Sequence, residues 1–191
     1  MRVHADESKR TKSGIIAVML KLSATLHNLP IMSLRSGGQI AVAIQPLINP
    51  HNLKILGWWC SSRLSSGHLV LLIDEVRETA GPNLVVNDND SLSEPADLAR
   101  HKEIIDAKFE LIGKQVKTKR HKLGKVSDFS YNDDMYIQKL YVARPVIKLL
   151  SADSTLIIDR TQILEVTDDY ILVNDAEVEE GVSELAPEPA A

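Results

Sequence analysis

An internal repeat constrains the fold of this chain more than any other sequence feature. The peptide LLID at residues 71–74 returns as LIID at residues 156–159, and LVVND at 84–88 returns as ILVND at 171–175. A pattern that returns after a near-constant interval indicates two copies of one structural unit. The sequence therefore predicts two small units rather than one large domain.

A weaker match extends the repeat toward the N-terminus. Residues 40–59 align with residues 123–142, mainly through apolar and turn positions. This alignment places Trp58 opposite Tyr141, so we expect the two aromatic side chains to fill equivalent core positions. Asp74 and Asp159 also recur at the ends of equivalent predicted strands, which indicates a structural role for both.

Apolar residues occur in short runs, which predicts strands rather than long helices. Typical runs cover residues 53–59 and 69–73, and the turn-forming pair Asn49-Pro50 precedes the first of them. Strands of this length and spacing are typical of all-β sandwiches and barrels. The predicted fold class is therefore all-β.

One segment between the two copies has a helical pattern. Ser93 is a suitable N-cap for a helix over residues 94–105, and Pro95 would lie in its first turn, where the missing N–H costs nothing. The predicted organisation has five parts: a flexible N-terminal segment (1–20), a first unit (21–90), a helical connector (91–108), a second unit (109–177) and a disordered acidic tail (178–191).

Composition narrows the function classes. The formal net charge of −4 disfavours a global nucleic-acid binder, although a local basic patch stays possible. The single cysteine, Cys60, cannot form an internal disulfide, which fits a reducing compartment. The apolar stretch at residues 15–20 ends at Lys21 and is shorter than the roughly 20 residues that span a bilayer. We therefore expect a cytoplasmic protein with no membrane span, and the scattered histidines give no zinc spacing.

Two segments of the second unit resemble the opening of a PRC-barrel domain. They are LIGKQV at residues 111–116 and HKLGKVSD at residues 121–128. The first resembles the start of that family's first strand, and the second resembles the tight turn that leads into its second strand. The first unit departs from the pattern, because Asn28 replaces the first glycine and Ala41 replaces the turn glycine.

The resemblance implies two tandem PRC-type β-barrels, joined by a short helical connector and used to dock proteins. The family includes the C-terminal domain of a ribosome maturation factor and the cytoplasmic part of a photosynthetic reaction-centre subunit. It has no shared active site, so the resemblance implies no catalytic residue and no cofactor.

A cluster of basic residues lies on the first predicted hairpin of the second unit. Its members are Lys114, Lys117, Lys119, Arg120, His121, Lys122 and Lys125. On a strand, Lys117 and Lys119 would share one face, and the turn would present residues 120–122 to solvent. The cluster is either a docking patch for RNA phosphate or an acidic protein surface, or a solvated hairpin that discourages edge-to-edge aggregation. No aromatic residues are interleaved, which argues against base stacking with single-stranded RNA.

Trp58 and Trp59 are adjacent on a predicted strand, so their side chains should face opposite sides. One should enter the core. The other is either an interface anchor or is covered by the connector or the other unit. The candidate partner-binding residues are therefore Lys117, Lys119, Arg120, Lys122, Trp58 and Trp59.

Other reactive residue types have structural explanations. Cys60 lacks a marked neighbouring base, so it is interpreted as a half-buried strand cysteine. The paired acids at residues 133–134 and 168–169 lie in predicted turns, where Asp bonds the local backbone. No calcium-loop pattern is present, so we predict no metal site.

Three functions follow from these observations. The first is a non-catalytic adaptor that binds a protein partner. The second is a factor in ribosome maturation or rRNA processing that docks on a ribosomal protein or RNA through the basic hairpin. The third is an enzyme, which would need a polar pocket between the two units. The sequence identifies no residues for such a pocket, so we expect no enzymatic activity.

Overall fold

The computed structural model describes residues 19–62, 65, 67–144 and 155–174. Within these ranges strands predominate and the one α-helix is short, so the predicted all-β class is confirmed. The flexible segment predicted at residues 1–20 falls mainly outside the described ranges. The acidic tail at 178–191 falls wholly outside them.

The first sheet is built from the N-terminal half of the chain. Its strands are β2 (Leu29–Ser33), β3 (Gln39–Asn49), β4 (Lys54–Ser61), β5 (Leu69–Leu72), β6 (Glu78–Ala80), β7 (Asn83–Val86) and β8 (Leu92–Ser93). They lie in the order β6-β7-β2-β3-β4-β5-β8. Neighbouring strands are antiparallel except for β2 and β7, which are parallel.

The second sheet repeats this order. Its strands are β9 (Gln115–Lys117), β10 (Lys122–Tyr131), β11 (Ile137–Ala143), β12 (Thr155–Asp159), β13 (Ile163–Val166) and β14 (Tyr170–Val173), with the short β1 (Lys21–Leu22) beside β10. The order is β12-β11-β10-β9-β14-β13, and β9 and β14 form its parallel pair. The two halves of the chain therefore build sheets of one topology.

The closed barrels implied by the resemblance are not found. Over the described residues, the first sheet ends at β6 and β8, and the second ends at β12 and β13. β6 has only three residues, all exposed, and so presents a short open edge. β12 follows residues 145–154, which lie outside the description.

The two sheets meet through the tips of equivalent hairpins. Lys54, the first residue of β4, and Tyr136, in the turn after β10, form an antiparallel bridge. The Ile55 N–H donates to the Met135 carbonyl (2.8 Å), and the Ile137 N–H donates to the Leu53 carbonyl (3.0 Å). Each tip thus supplies one donor and one acceptor, as an approximate twofold relationship requires.

In this pairing Ile55 of the first unit is equivalent to Ile137 of the second. The alignment of residues 40–59 with residues 123–142 would instead pair Ile55 with Gln138, so the structural equivalence differs from it by one residue. Trp58 is 2% exposed, and its structural equivalent is Leu140, which is 0% exposed. Tyr141 corresponds to Trp59, and both are only partly buried. The prediction that Tyr141 fills the core is therefore wrong. The hairpin turn accounts for the difference: residues 49–54 separate the paired residues Ile48 and Ile55, whereas only residues 132–136 separate the equivalent pair Tyr131 and Ile137. A one-residue slip moves a side chain to the other face.

One apolar core spans both sheets. It includes Ile31 and Trp58 from the first sheet and Phe129 and Leu140 from the second. Next to β1, the Ser23 Oγ donates a hydrogen bond to the Asp128 carboxylate of β10. Shared burial of this kind stabilises the association of the two sheets.

The helix predicted over residues 94–105 is wrong at its start. Ser93 belongs to β8 and pairs with Val70 of β5, so it caps no helix. Two 3-10 turns follow, at Pro95–Asp97 and Ala99–His101, and the α-helix proper is α1 (Lys102–Ala107). Between the two turns, Leu98 adopts φ −93° and ψ 56°, which breaks the helical path.

The backbone conformation of Asn28 explains how the first unit can have asparagine where the second unit has Gly113. Asn28 has φ 56°, and Gly113 in the second unit has φ 85°. Both lie in the left-handed region, which asparagine tolerates better than most residues. The substitution therefore preserves the turn before the first strand of the unit.

Candidate docking site

The basic hairpin is held in shape by Thr118. β9 ends at Lys117 and β10 begins at Lys122, so residues 118–121 form the turn. The Thr118 side chain is buried, and its Oγ1 accepts hydrogen bonds from the backbone N–H groups of Arg120 (3.2 Å) and His121 (3.1 Å). A hydroxyl that caps the backbone in this way fixes the path of a turn. The four side chains that follow Thr118 are therefore presented from a defined backbone.

Lys117 is positioned by the neighbouring parallel strand. In the pairing of β9 with β14, Lys117 lies opposite Leu172. Its Nζ is 3.4 Å from the centroid of the Tyr170 ring. A cation over a tyrosine face is attracted by the ring quadrupole. Tyr170 is a residue of the candidate site that sequence reasoning missed, because the parallel pairing of β9 with β14 brings it beside Lys117.

The hairpin surrounds a depression of about 250 Å³. Its lining residues are Lys117, Thr118, Lys119, Arg120, His121, Lys122, Tyr170 and Leu172. Lys119, Arg120, His121 and Lys122 are exposed. Among the described residues, no acidic side chain belongs to this lining, so the described part of the depression carries positive charge and favours an anionic ligand.

Two expectations about the basic cluster need correction. Lys119 lies in the turn, so it does not share a strand face with Lys117. Lys114 points elsewhere, because its Nζ donates to the Asp168 carbonyl and lies 4.4 Å from the centroid of the Phe109 ring. The candidate site therefore contains fewer basic residues than the cluster in the sequence, and Lys114 is not one of them.

The two tryptophans face opposite sides of β4, as the strand alternation predicts. Trp58 is buried in the shared core, where a partner could not reach it without unfolding the chain. Trp59 is partly buried and packs against a second cluster formed by Leu47, Val70 and Ile105. Ile105 belongs to α1, so the connector covers part of this face.

Cys60 is fully buried rather than half-buried. Its side chain is 0% exposed, and its Sγ lies 3.4 Å from the Trp58 carbonyl oxygen. Burial raises the pKa of the Cys60 thiol to about 12. A thiol in this state is a poor nucleophile, because the thiolate is the reactive form.

The boundary between the sheets has a depression of about 280 Å³, where an enzyme would need its pocket. It is lined by Pro50, His51, Asn52, Leu53, Arg160, Ile163, Leu164, Glu165 and Val166. The Arg160 Nη2 donates to the Asn52 carbonyl (2.7 Å), and the His51 Nε2 lies 3.5 Å from the Glu103 carboxylate. These polar groups hold neighbouring segments together.

The described residues offer neither a metal site nor a membrane-spanning helix. Over the described ranges, no cluster of three or more His, Cys, Asp or Glu side chains could hold a metal ion. Within the same ranges, no helix is long and apolar enough to cross a membrane. The Asp133 carboxylate of the first acidic pair instead bonds the Lys21 ammonium at 2.8 Å.

Comparison with known proteins does not assign the chain to a family. No protein-family model matches the sequence. No curated protein matches it either.

Proposed function

We propose that this protein is a non-catalytic adaptor that binds an acidic segment of a partner protein at the basic hairpin. The observation that carries the proposal is the depression bordered by Lys117, Lys119, Arg120 and Lys122, in which the described lining residues include no acidic side chain. Carboxylates entering it would form charge-assisted hydrogen bonds with ammonium and guanidinium groups.

An acidic protein fits this site better than single-stranded RNA does. Sequence-tolerant RNA binding uses exposed aromatic rings on which bases stack. Tyr170 is the aromatic residue of the depression, and it is only partly exposed, with the Lys117 ammonium over its ring. Docking on ribosomal RNA or a ribosomal protein during ribosome maturation is the alternative, because phosphate would also complement the four cations.

The proposal includes a relationship to PRC-barrel domains. It is supported by the resemblance at residues 111–116 and 121–128 and by the matching strand orders of the two sheets. The proposal also includes a cytoplasmic location, which rests on the single cysteine. Small sheet units fill their interiors with side chains, so binding should occur on loops and edges.

The direct test measures binding of two polyanionic probes to the full chain. One probe is a poly-glutamate peptide, and the other is a poly-uridine RNA of matched charge. The test variant carries Lys119→Glu and Lys122→Glu, because both side chains are exposed in or beside the turn. The control carries Arg100→Glu and Lys108→Glu, which make the same change in net charge on the exposed connector.

We expect the full chain to bind poly-glutamate more tightly than RNA, and the test variant to bind it about tenfold more weakly. The loss of two exposed charge contacts of up to about 1 kcal/mol each, with repulsion in their place, accounts for a factor of this size. The control should bind like the unmodified chain. If both variants lost poly-glutamate binding equally, the change in net charge would explain the loss, and a specific site would be refuted. Tighter binding of RNA, again lost only in the test variant, would favour the ribosomal alternative.

A further inference from the structure

The chain leaves the described structure beside the basic hairpin. β14 runs parallel to β9, with Tyr170 opposite Gln115 and Leu172 opposite Lys117. Leu172 lines the depression, and two residues farther along the chain the Asn174 N–H donates to the Gln162 carbonyl (2.8 Å). The last described residue of this segment therefore lies two residues from the lining of the depression.

Those residues are acidic and contain no basic side chain. The acids between residues 175 and 191 are Asp175, Glu177, Glu179, Glu180, Glu184 and Glu188. They account for six of the 26 acidic residues, so their removal would change the formal net charge from −4 to +2. The acidic segment is thus complementary in charge to the hairpin beside which it begins.

We propose that residues 175–191 bind the basic hairpin of their own chain and compete there with the acidic partner. The inference rests on the proposed function, since it assigns the same site an internal ligand. It also specifies the partner chemistry: a segment that displaces residues 175–191 should itself be rich in carboxylates and short of cations.

Tethering favours contact within one chain over contact between chains. A residue spans at most about 3.6 Å, so Glu177 can lie within about 11 Å of Asn174 along the chain. A ligand on so short a tether has an effective concentration in the millimolar range. Carboxylate–ammonium contacts that would be weak between separate molecules are then substantially occupied.

The first experiment tests the contact itself by zero-length carbodiimide crosslinking of the full chain. We expect amide crosslinks between the Lys119 or Lys122 side chains and the acids of residues 175–191. Their yield should not depend on protein concentration, and it should fall in about 1 M salt, where the Debye length is about 3 Å. Crosslinks distributed equally over exposed lysines such as Lys102 and Lys108 would overturn the proposal.

The second experiment separates this inference from the proposed function. Poly-glutamate binding is measured for the full chain, for a chain ending at Asn174, and for a full-length chain with the six acids changed to their amides. Both changed chains should bind the probe about tenfold more tightly, as expected when a millimolar tethered competitor is removed. Lys119→Glu with Lys122→Glu should abolish this gain.

The outcomes are distinguishable. If all three chains bind poly-glutamate equally and only the hairpin variant loses binding, the docking site stands and the internal ligand is refuted. If none of the chains binds poly-glutamate while the crosslinks form as expected, the segment occupies the hairpin and the proposed adaptor function is refuted. If binding is absent and the crosslinks are unselective, both are refuted.

Discussion

Lys54 and Tyr136 form an antiparallel bridge between the two hairpin tips, although one belongs to each half of the chain. The Lys54 Nζ lies 5.4 Å from the centroid of the Tyr136 ring. The Arg160 guanidinium lies 4.8 Å from the same ring and also donates to the Asn52 carbonyl. The boundary between the sheets therefore combines backbone pairing with two cations on one aromatic ring.

Removing the Tyr136 ring should weaken this boundary. We expect Tyr136→Ala to lower the free energy of unfolding by about 2 kcal/mol, since it loses two cation–π contacts and part of a buried surface. Tyr136→Phe should stay within about 0.5 kcal/mol of the unmodified chain, because the ring makes these contacts. Urea unfolding of the three proteins measures both values. Equal stabilities for the alanine and phenylalanine variants would show that the ring contacts contribute nothing.

Two glycines of the second unit should differ in their tolerance of alanine. A Cβ at Gly113 would meet no atom within 4 Å, so Gly113→Ala carries only the cost of its left-handed backbone, about 1–2 kcal/mol. A Cβ at Gly124 would collide with the carbonyl of Ala143 on β11. Gly124→Ala should therefore destabilise the chain by more than Gly113→Ala, as measured by thermal or urea unfolding. The reverse order would contradict the close approach of β10 and β11.

Much of the fold could be predicted from the sequence because it depends on local pattern. Short apolar runs predicted strands, and the repeat predicted two copies of one unit; the structure has two sheets of one strand order rather than the closed barrels expected. The one-residue difference that places Tyr141 outside the core was not predictable, because it arises from a turn that is one residue shorter in the second unit, and only the strand pairing shows where that turn begins and ends. The connector was misjudged because Ser93 gains a strand partner, Val70, that no local rule identifies.

The candidate site was predictable only in part. The basic residues are consecutive in sequence, so the turn at 118–121 was visible as a cluster. Tyr170 was not, because its contact with Lys117 requires the parallel pairing of two strands far apart in the chain. Parallel pairs depend on crossover connections rather than tight turns, and such connections leave no short sequence signal.

Asp159 and Asp74 should differ in their contribution to stability, although the sequence repeat treats them as equivalent. Asp159 caps the 3-10 turn Arg160–Gln162 by accepting bonds from the Thr161 N–H (3.0 Å) and Oγ1 (2.8 Å). Asp74 lies inside its turn, which has no side-chain cap. Asp159→Ala should cost about 1 kcal/mol near neutral pH, and Asp74→Ala should cost much less.

The contribution of Asp159 should also depend on pH. The Thr161 N–H bond lowers the pKa of Asp159 below its reference value of 3.8. A lowered folded-state pKa contributes stability that is present above 3.8 and is lost as the pH falls through the folded-state pKa. Urea titrations across this range should therefore converge for the unmodified chain and Asp159→Ala. A constant difference between them at all pH values would contradict the assignment.

Cys60 should be unreactive in the folded chain and should make it sensitive to alkali. Burial holds its pKa at about 12, against a reference of 9.0, so the folded state retains a proton that the unfolded state has lost between these values. Stability should therefore fall as the pH rises above 9.0, and this part of the loss should be absent in Cys60→Ala. Thiol labelling near neutral pH should follow unfolding. Rapid labelling of the native chain would contradict the burial.

The connector should control the exposure of Trp59. Ile105 of α1 packs in the cluster that includes Leu47 and Val70 and that Trp59 borders. In a Trp58→Phe background, Trp59 is the one remaining tryptophan, and Ile105→Ala should shift its emission to longer wavelength. The same change should lower the free energy of unfolding by about 2–4 kcal/mol, because a buried isoleucine is lost.

Lys102→Ala is the matched control for this variant. Lys102 lies on the same helix, is exposed and pairs with Asp106 four residues on, a contact of about 0.3–0.5 kcal/mol. It should leave the emission wavelength of Trp59 unchanged. If Ile105→Ala also left the emission unchanged while destabilising the chain, α1 would contribute to the core without covering Trp59. The strand face around Trp59 would then be open to a partner, as the first of the two sequence interpretations requires.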